Sequence, residues 1–380
     1  MKILQTIGGF GGKSGGTTTC TYDLIRYMHT IENCNVDLLT PDVNDPTDRL
    51  AGNGEEWIKI VDNDYRTPLA ISNNLRNFLQ NSNYDIYHAN GLWMYVTHIT
   101  SVMARKKNKP FILTPHGMLY PSALSRSAWK KRLMGILWFK RDIMNATCMH
   151  ATCKPEVEVL RNFGYKGPIA LIPNPVPFFD YFEELNIERK LQIGFLGRLH
   201  PRKNVHILIQ AWIELGEKVK NANLVIMGTG DAEYEKHLKD MASQCKFNNI
   251  IFKGFVRGKE KYEVLAGMRA LCVPSDFENF GMIVTEALSV GTPVIASYGT
   301  PWEELNTRNC GWWIDATVGN ISKAIEKALY KPTDVIIKMG RNGVDLVKEK
   351  YVANKVAEMM SNLYKWITSE CEKPDFIDVI

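Results

Sequence analysis

S-D-F-E-N-F-G-M-I-V-T-E-A-L-S-V-G-T-P, residues 275–293, follows an apolar run at Ala270–Val273 whose length predicts a short buried strand. Pro274 to Gly281 reads as a loop, and Met282 to Val290 as a helix stopped by Gly291 and Pro293. The first amides of such a helix, from about Gly281 to Val284, suit an anionic phosphate. Gly281 has no Cβ, so a ligand can come close to its backbone. Glu278 falls in the loop, and Glu286 about one turn inside the helix. One carboxylate could accept hydrogen bonds from the hydroxyls of a transferred sugar, and the other could hold a ribose diol. Two glutamates eight apart are, by themselves, ordinary surface residues. Set between a buried strand, Phe280-Gly281 and a Gly-Thr-Pro stop, they form a specific pattern.

This stretch resembles the glutamate-seven-glutamate signature of the retaining glycosyltransferases of family 4. The resemblance implies an α/β chain of the GT-B fold, two Rossmann-like domains facing across a cleft, with a C-terminal helix returning to the N-terminal domain. It implies that Glu278 contacts the donor hexose and that Glu286 binds the nucleotide ribose. The backbone of Asn279, Phe280, Gly281, Met282 and Ile283 would hold the sugar and the distal phosphate.

At 380 residues the chain is long for a single core, so two domains are expected. An apolar share of 45% and a charged share of 23% are ordinary for a soluble globular protein. The start, M-K-I-L-Q-T-I-G-G, has neither the apolar core nor the cleavage site of a signal peptide. No stretch approaches the ~20 apolar residues of a spanning helix. The eight cysteines are scattered without a C-x-x-C pair and read as free thiols, which fits a reduced cytoplasmic setting. Net charge is +5, but its distribution is uneven. Ile86 to Arg141 holds no acidic residue, so an anionic partner is expected at this part of the surface.

Strand-like and helix-like runs alternate from end to end, the pattern of doubly wound parallel sheets. In the first half, strands are expected at Lys2–Ile7, Val36–Thr40, Trp57–Val61, Asp85–His88, Pro110–Thr114, Thr147–Ala151 and Ile169–Ile172. Pro173-Asn174-Pro175-Val176-Pro177 is the expected hinge. Strands of the second half are expected at Leu191–Leu196, Asn223–Met227, Asn249–Phe252, Ala270–Val273 and Pro293–Ala296, with helices at the end of the chain. Residues 1–177, with 354–380 packing back, would form an acceptor-side domain, and 178–353 a nucleotide-sugar domain.

The loop G-G-F-G-G-K-S-G-G, residues 8–16, has three readings besides a plain turn. It falls one residue short of a Walker A loop, and as a dinucleotide loop it lacks the third glycine. By the resemblance, Gly15 and Gly16 at the following helix start would lie near the donor phosphates. G-F-L-G-R-L-H-P-R-K-N-V, residues 194–205, ends a strand and puts Arg198 and Lys203 at its polar tip. Two cations there could balance a departing diphosphate or be plain surface charge, and the resembled family uses both on the leaving group. Phe255 and Val256 end the next strand, where family members bind the base through backbone groups. His116, in T-P-H-G-M, ends a first-half strand. By the resemblance it would face Glu278 and touch the transferred sugar. His88 and Asn90 occupy the neighbouring tip as acceptor-side candidates. Asp62-Asn63-Asp64 can be read as a D-x-D metal motif or as a turn after a strand. The turn reading is preferred.

The sequence is thus read as a retaining glycosyltransferase that needs no metal or other cofactor. Its partners would be a nucleoside diphosphate sugar and a glycan or lipid-linked acceptor. T-P-H-G-M-L-Y-P, with the basic segment after it, looks like enzymes of bacterial capsule, O-antigen or exopolysaccharide assembly. That segment, Ser125 to Arg141, mixes Trp129, Leu133, Ile136 and Leu137 with six Lys and Arg. It reads either as core with solvated charges or as a surface for anionic membrane. Two other functions share these features: a nucleotide-sugar 2-epimerase on the same fold, and a non-catalytic nucleotide-sugar-binding protein.

Overall fold

The computed structural model describes residues 1–11, 15–41, 55–64, 69–124, 138–177 and 188–378. The chain divides into two compact units, Met1–Pro175 with Ala353–Ile380, and Val176–Val352.

The first unit is built on seven parallel strands: β1 (Lys2–Ile7), β2 (Asn35–Pro41), β3 (Ile58–Val61), β4 (Ile86–Asn90), β5 (Phe111–Thr114), β6 (Cys148–Ala151) and β7 (Ile169–Leu171). Their order is β3-β2-β1-β4-β5-β6-β7. The second unit has β8 (Gln192–Leu196), β9 (Asn223–Met227), β10 (Ile250–Gly254), β11 (Ala270–Val273), β12 (Val294–Ser297) and β13 (Gly311–Ile314), in the order β10-β9-β8-β11-β12-β13. Strand order reverses between β1 and β4 in one unit and between β8 and β11 in the other. Ligands of open parallel sheets bind outside the carboxyl ends of strands at such reversals. The two decisive loops of the second unit, after β8 and β11, both emerge there.

Parallel strands are covered on both faces and therefore read as nearly continuous apolar runs. On one face of the first sheet Ile3, Ile86, Ile112 and Cys148 pack with Val356, Met360 and Tyr364 of the helix Ala353–Ile367. On the other, Leu4, Tyr87, Leu113 and Met149 pack with Val96, Met103 and Leu160. The C-terminal helix thus covers the first sheet.

Several expectations shift by a few residues. β4 runs on to Asn90, two residues past the expected end, which takes His88 into the sheet. β13 was not expected; its four residues are mostly half-buried at a sheet edge, and G-W-W-I gives little strand pattern. The helix expected near Pro68–Gln80 is Asn73–Asn81, and Ser72 caps it by accepting from the Leu75 amide at 3.2 Å. Asp64 completes this cap, accepting from the amides of Asn73 at 2.6 Å and Asn74 at 3.1 Å. Half of the D-x-D sequence is therefore spent on a helix N-terminus.

Of the basic segment, residues 125–137 lie outside the described residues, as do Gly12, Lys13 and Ser14 of the glycine loop. The described end turns inward. Phe139 is fully buried, and Trp138 stacks on His98 with ring centroids 4.8 Å apart. Asp142, the first acid after the acid-free stretch, is buried between His98 at 2.7 Å and Arg105 at 3.2 Å. All eight cysteines are unpaired, seven of them buried. No helix among the described residues is long and apolar enough to cross a membrane.

Candidate active site

In the second unit the loops after β8 and β11 are stitched together. Asn204, with φ 53°, donates from Nδ2 to Pro274 O at 3.0 Å and to Asp276 Oδ1 at 2.5 Å. The Asp276 amide returns a bond to Arg202 O at 2.9 Å. These ties place Lys203 against Glu278 as an ion pair, and Ser275 Oγ donates to the same carboxylate at 2.8 Å. The Glu278 amide is anchored on Gly299 O at 2.8 Å. Arg198, at the tip of β8, is exposed and makes no hydrogen bond or ion pair among the described residues.

Aromatic packing supports the β11 loop from behind. Trp302 Nε1 donates to Phe280 O at 2.6 Å, and the buried Phe280 ring meets Trp302 and Tyr351 edge-on. Gly281 has φ 80°, a left-handed backbone open to glycine at little cost. It precedes the helix Met282–Ser289, which has no side-chain cap. The Val284 amide, expected to be open, bonds to Gly281 O at 2.9 Å. The amides of Met282 and Ile283 have no acceptor among the described residues. Two aligned donors at the positive end of a helix dipole suit a phosphate.

Glu286, on the same helix, pairs with Lys261 at 2.9 Å, both side chains largely shielded. Lys261 comes from the helix Gly258–Ala266, which follows β10. Sequence reasoning did not find it: a lysine 25 positions before its glutamate, on a different helix, carries no spacing signal. Between β10 and that helix, Phe255 is 66% exposed while Val256 is buried, so only the Phe255 ring is offered to solvent. Gly254 and Gly258, both with positive φ, frame this turn.

In the first unit His116 has φ 51° and Gly117 φ 76°, consecutive left-handed residues after β5. A non-glycine residue there is strained, and such strain gathers at functional sites. Buried Glu156 offsets it by accepting from the Gly117 amide at 2.6 Å and the Thr152 amide at 2.8 Å. His116, partly exposed, reaches Asn90 Oδ1 from Nε2 at 3.2 Å. Burial, with His150 nearby, pushes its pKa down to about 3, so the ring is neutral at pH 7. His88 departs from expectation. It is fully buried, with Nδ1 on Tyr364 Oη and Nε2 on Thr114 Oγ1, each at 2.7 Å, and is not free to meet an acceptor. Burial also lowers its pKa well below the ordinary histidine value. Gly15, with φ 90°, and Gly16 open the helix Gly16–Met28. A Cβ on Gly15 would meet nothing, so backbone conformation rather than space favours glycine there.

Residues 14–178 match the family described as Glycosyltransferase Family 4, and residues 178–343 the family described as Glycosyl transferases group 1. An uncharacterized glycosyltransferase of Methanocaldococcus jannaschii is 28% identical over 197 residues, 48% of this chain and 48% of that protein. The phosphatidyl-myo-inositol mannosyltransferase of Mycobacterium leprae is 30% identical over 161 residues, 42% of this chain and 39% of that protein. The chain spans about half the length, or less, of these curated relatives. HepE of Anabaena, solved in complex with UDP and glucose, superposes with a TM-score of 0.71 at 16% identity, over 96% of this chain and 100% of that one. At that identity the likeness is one of fold, and the fold is GT-B.

Proposed function

The chain pairs a Glycosyltransferase Family 4 domain with a Glycosyl transferases group 1 domain, and we propose that it transfers a hexose, with retention, from a nucleoside diphosphate sugar to a hydroxyl of a glycan or lipid-linked acceptor. One observation carries this reading. Glu278 and Glu286, each held by a lysine, flank the uncapped start of the helix Met282–Ser289. The arrangement has carboxylates for sugar and ribose hydroxyls, open amides for a phosphate, and Arg198 and Lys203 for the charge of the leaving group.

In the proposed reaction the bond from the sugar's anomeric carbon to the diphosphate oxygen breaks. A bond to the acceptor oxygen forms on the same face. The acceptor's proton passes to the departing phosphate, so no protein base is required. Arg198 and Lys203 stabilise the charge that develops on that phosphate. Lys203 would exchange Glu278 for the diphosphate, releasing the carboxylate to sugar hydroxyls. Glu286 would bind the ribose diol, and His116, neutral, would touch the transferred sugar. The fixed cations take the place a divalent metal has in other transferases.

Calorimetry tests the donor site. Glu286→Gln is expected to weaken nucleotide diphosphate binding by about 1–3 kcal/mol through lost charge-assisted hydrogen bonds. Glu278→Ala is expected to depress transfer while leaving binding of the free diphosphate nearly intact. Unchanged nucleotide affinity in both variants would remove the donor-site assignment.

The acceptor reading extends to where the enzyme works, in bacterial surface-polysaccharide assembly at the cytoplasmic face of a membrane. Lys and Arg near an anionic membrane contribute ~1 kcal/mol each, and Ser125 to Arg141 supplies six. Wild type is expected to sediment with anionic vesicles at low salt and to be released at high salt. Neutralising Lys130, Lys131 and Arg132 should lower that sedimentation without touching nucleotide affinity. A wild type that stays in the supernatant at low salt contradicts the membrane reading.

A further inference from the structure

The face of the first sheet covered by the C-terminal helix is not apolar throughout. Toward the carboxyl ends of its strands the inward positions become Gln5 on β1, His88 and Asn90 on β4, Thr114 on β5 and His150 on β6, all buried. Tyr364 of the helix Ala353–Ile367 lies over them, its side chain fully buried. These groups form one hydrogen-bonded chain from His116 to a backbone carbonyl. His116 Nε2 meets Asn90 Oδ1 at 3.2 Å, and Asn90 Nδ2 meets Gln5 Oε1 at 2.9 Å. Gln5 Nε2 donates to Tyr364 Oη at 3.0 Å, and Tyr364 Oη meets His88 Nδ1 at 2.7 Å. His88 Nε2 and His150 Nδ1 share Thr114 Oγ1 at 2.7 and 2.8 Å, and His150 Nε2 ends on Ile172 O at 2.7 Å.

The chain ends on a backbone carbonyl, Ile172 O, so every donor and acceptor in it follows. A carbonyl only accepts, so His150 Nε2 carries a proton toward Ile172 and its Nδ1, in a neutral ring, accepts from Thr114. The Thr114 hydroxyl proton is then committed, and His88 must donate to it from Nε2. His88 Nδ1 accepts from Tyr364, whose oxygen in turn accepts from Gln5. Gln5, donating from Nε2 to Tyr364, presents Oε1 to Asn90 Nδ2, which turns Asn90 Oδ1 toward His116; the longer contact of Asn90 Nδ2 with Thr6 O, 3.5 Å, agrees with that orientation but is too long to hold it alone. His116 must therefore donate from Nε2, and its Nδ1 is left with the lone pair.

We propose that Tyr364 is a positioning residue for His116: through Gln5 and Asn90 the C-terminal helix fixes that imidazole as the Nε2-protonated tautomer and leaves its Nδ1 unprotonated. The neutral state of all three histidines agrees with this arrangement. The catalytic consequence rests on the reading of His116 given above: a substrate hydroxyl can donate to Nδ1, but the ring cannot donate from it. The tautomer itself does not depend on that reading.

Long-range proton–nitrogen correlation spectra of the full chain, with histidine nitrogens labelled, test the proposal directly. At pH 7, His88, His116 and His150 are all expected to show a protonated Nε2 and an unprotonated Nδ1. Tyr364→Phe keeps the ring and removes the hydroxyl. The His116 nitrogens should then move toward the average of two tautomers, while His150, anchored on Ile172 O, keeps its shifts and reports an intact fold. If the enzyme transfers sugar, the same variant should lose kcat with the KM for nucleotide sugar unchanged. A wild-type His116 protonated at Nδ1, or at both nitrogens, overturns the proposal, and so does a His116 unmoved in a folded Tyr364→Phe. Should Tyr364→Phe not fold, the wild-type spectrum alone decides. A correct tautomer with no transferase activity leaves the relay standing and refutes only the functional reading.

Discussion

Arg198→Ala is expected to lower kcat for sugar transfer by about 10²–10³, the range seen when a group stabilising developing charge is removed from a preorganised site. Arg198 suits this measurement because it has no ion partner among the described residues, so its loss leaves no buried charge exposed. Lys203→Ala should also reduce kcat, but it strips Glu278 of its ion partner as well. For that variant the KM of the donor should rise too, whereas for Arg198→Ala the effect should fall on kcat alone. Because the two cations are covalently part of the chain, activity should persist in EDTA. Activity abolished by EDTA and restored by Mn²⁺ or Mg²⁺ would point back to Asp62-Asn63-Asp64. A kcat unchanged in Arg198→Ala would exclude that residue from the leaving-group site.

Acid is expected to destabilise the first unit steeply. Unfolded histidines titrate near 6.5. In the folded unit burial keeps His88 neutral to well below that value and His150 neutral to about 4. As pH falls below about 6.5, the unfolded chain takes up protons that the folded chain refuses. Stability from these groups is therefore complete above about pH 6.5 and is lost as pH falls toward about 4. Each proton costs about 1.4 kcal/mol per pH unit, so two histidines give about 3 kcal/mol per pH unit at full slope. By pH 5 the loss is about 4 kcal/mol, a large share of the about 5–15 kcal/mol by which domains are stable, so a marked fall in stability is the expected result. Urea midpoints followed at pH 7, 6 and 5 measure it. A midpoint that does not move between pH 6.5 and 5 would contradict the buried neutral state of His88 and His150.

The strand at Ala270–Val273, the loop and the helix after Gly281 were legible because their causes are local. An apolar tetrad, a glycine and a Gly-x-Pro stop lie within a few positions of one another. The placing of Glu278 in the loop and of Glu286 in the helix was legible for the same reason, but the lysines paired with them were not. Lys203 is 75 positions from Glu278, and only folding brings the loops after β8 and β11 together through Asn204. Tyr364 lies 359 positions from Gln5 and 276 from His88. In the sequence each member of that chain is merely a polar residue in an apolar run, such as Gln5 in K-I-L-Q-T-I or His150 in C-M-H-A. Such an interruption signals a buried partner without naming it, since a buried polar group must be satisfied by something. His88 was misplaced at a strand tip because strand ends are set by pairing with neighbours, and β5 holds Asn90 in register with Thr114.

The division of the chain, in which residues 353–378 complete a sheet begun at residue 2, also has a consequence for synthesis. The second unit is one continuous segment, Val176–Val352, whose contacts can all form once that segment has emerged. The first unit lacks its covering helix, and Tyr364 with it, until the intervening unit has been made. Its β7 edge waits even longer, because Leu171 N bonds to Phe376 O and Asp378 N to Ile169 O. Closing a loop of that length adds only a slowly growing entropic term, so the penalty falls on time more than on final stability. During that interval the part of this sheet face that the helix Gly16–Met28 does not cover, with the polar row beneath Tyr364, stands open on a nascent chain, the condition under which partly folded proteins associate wrongly and chaperones engage them.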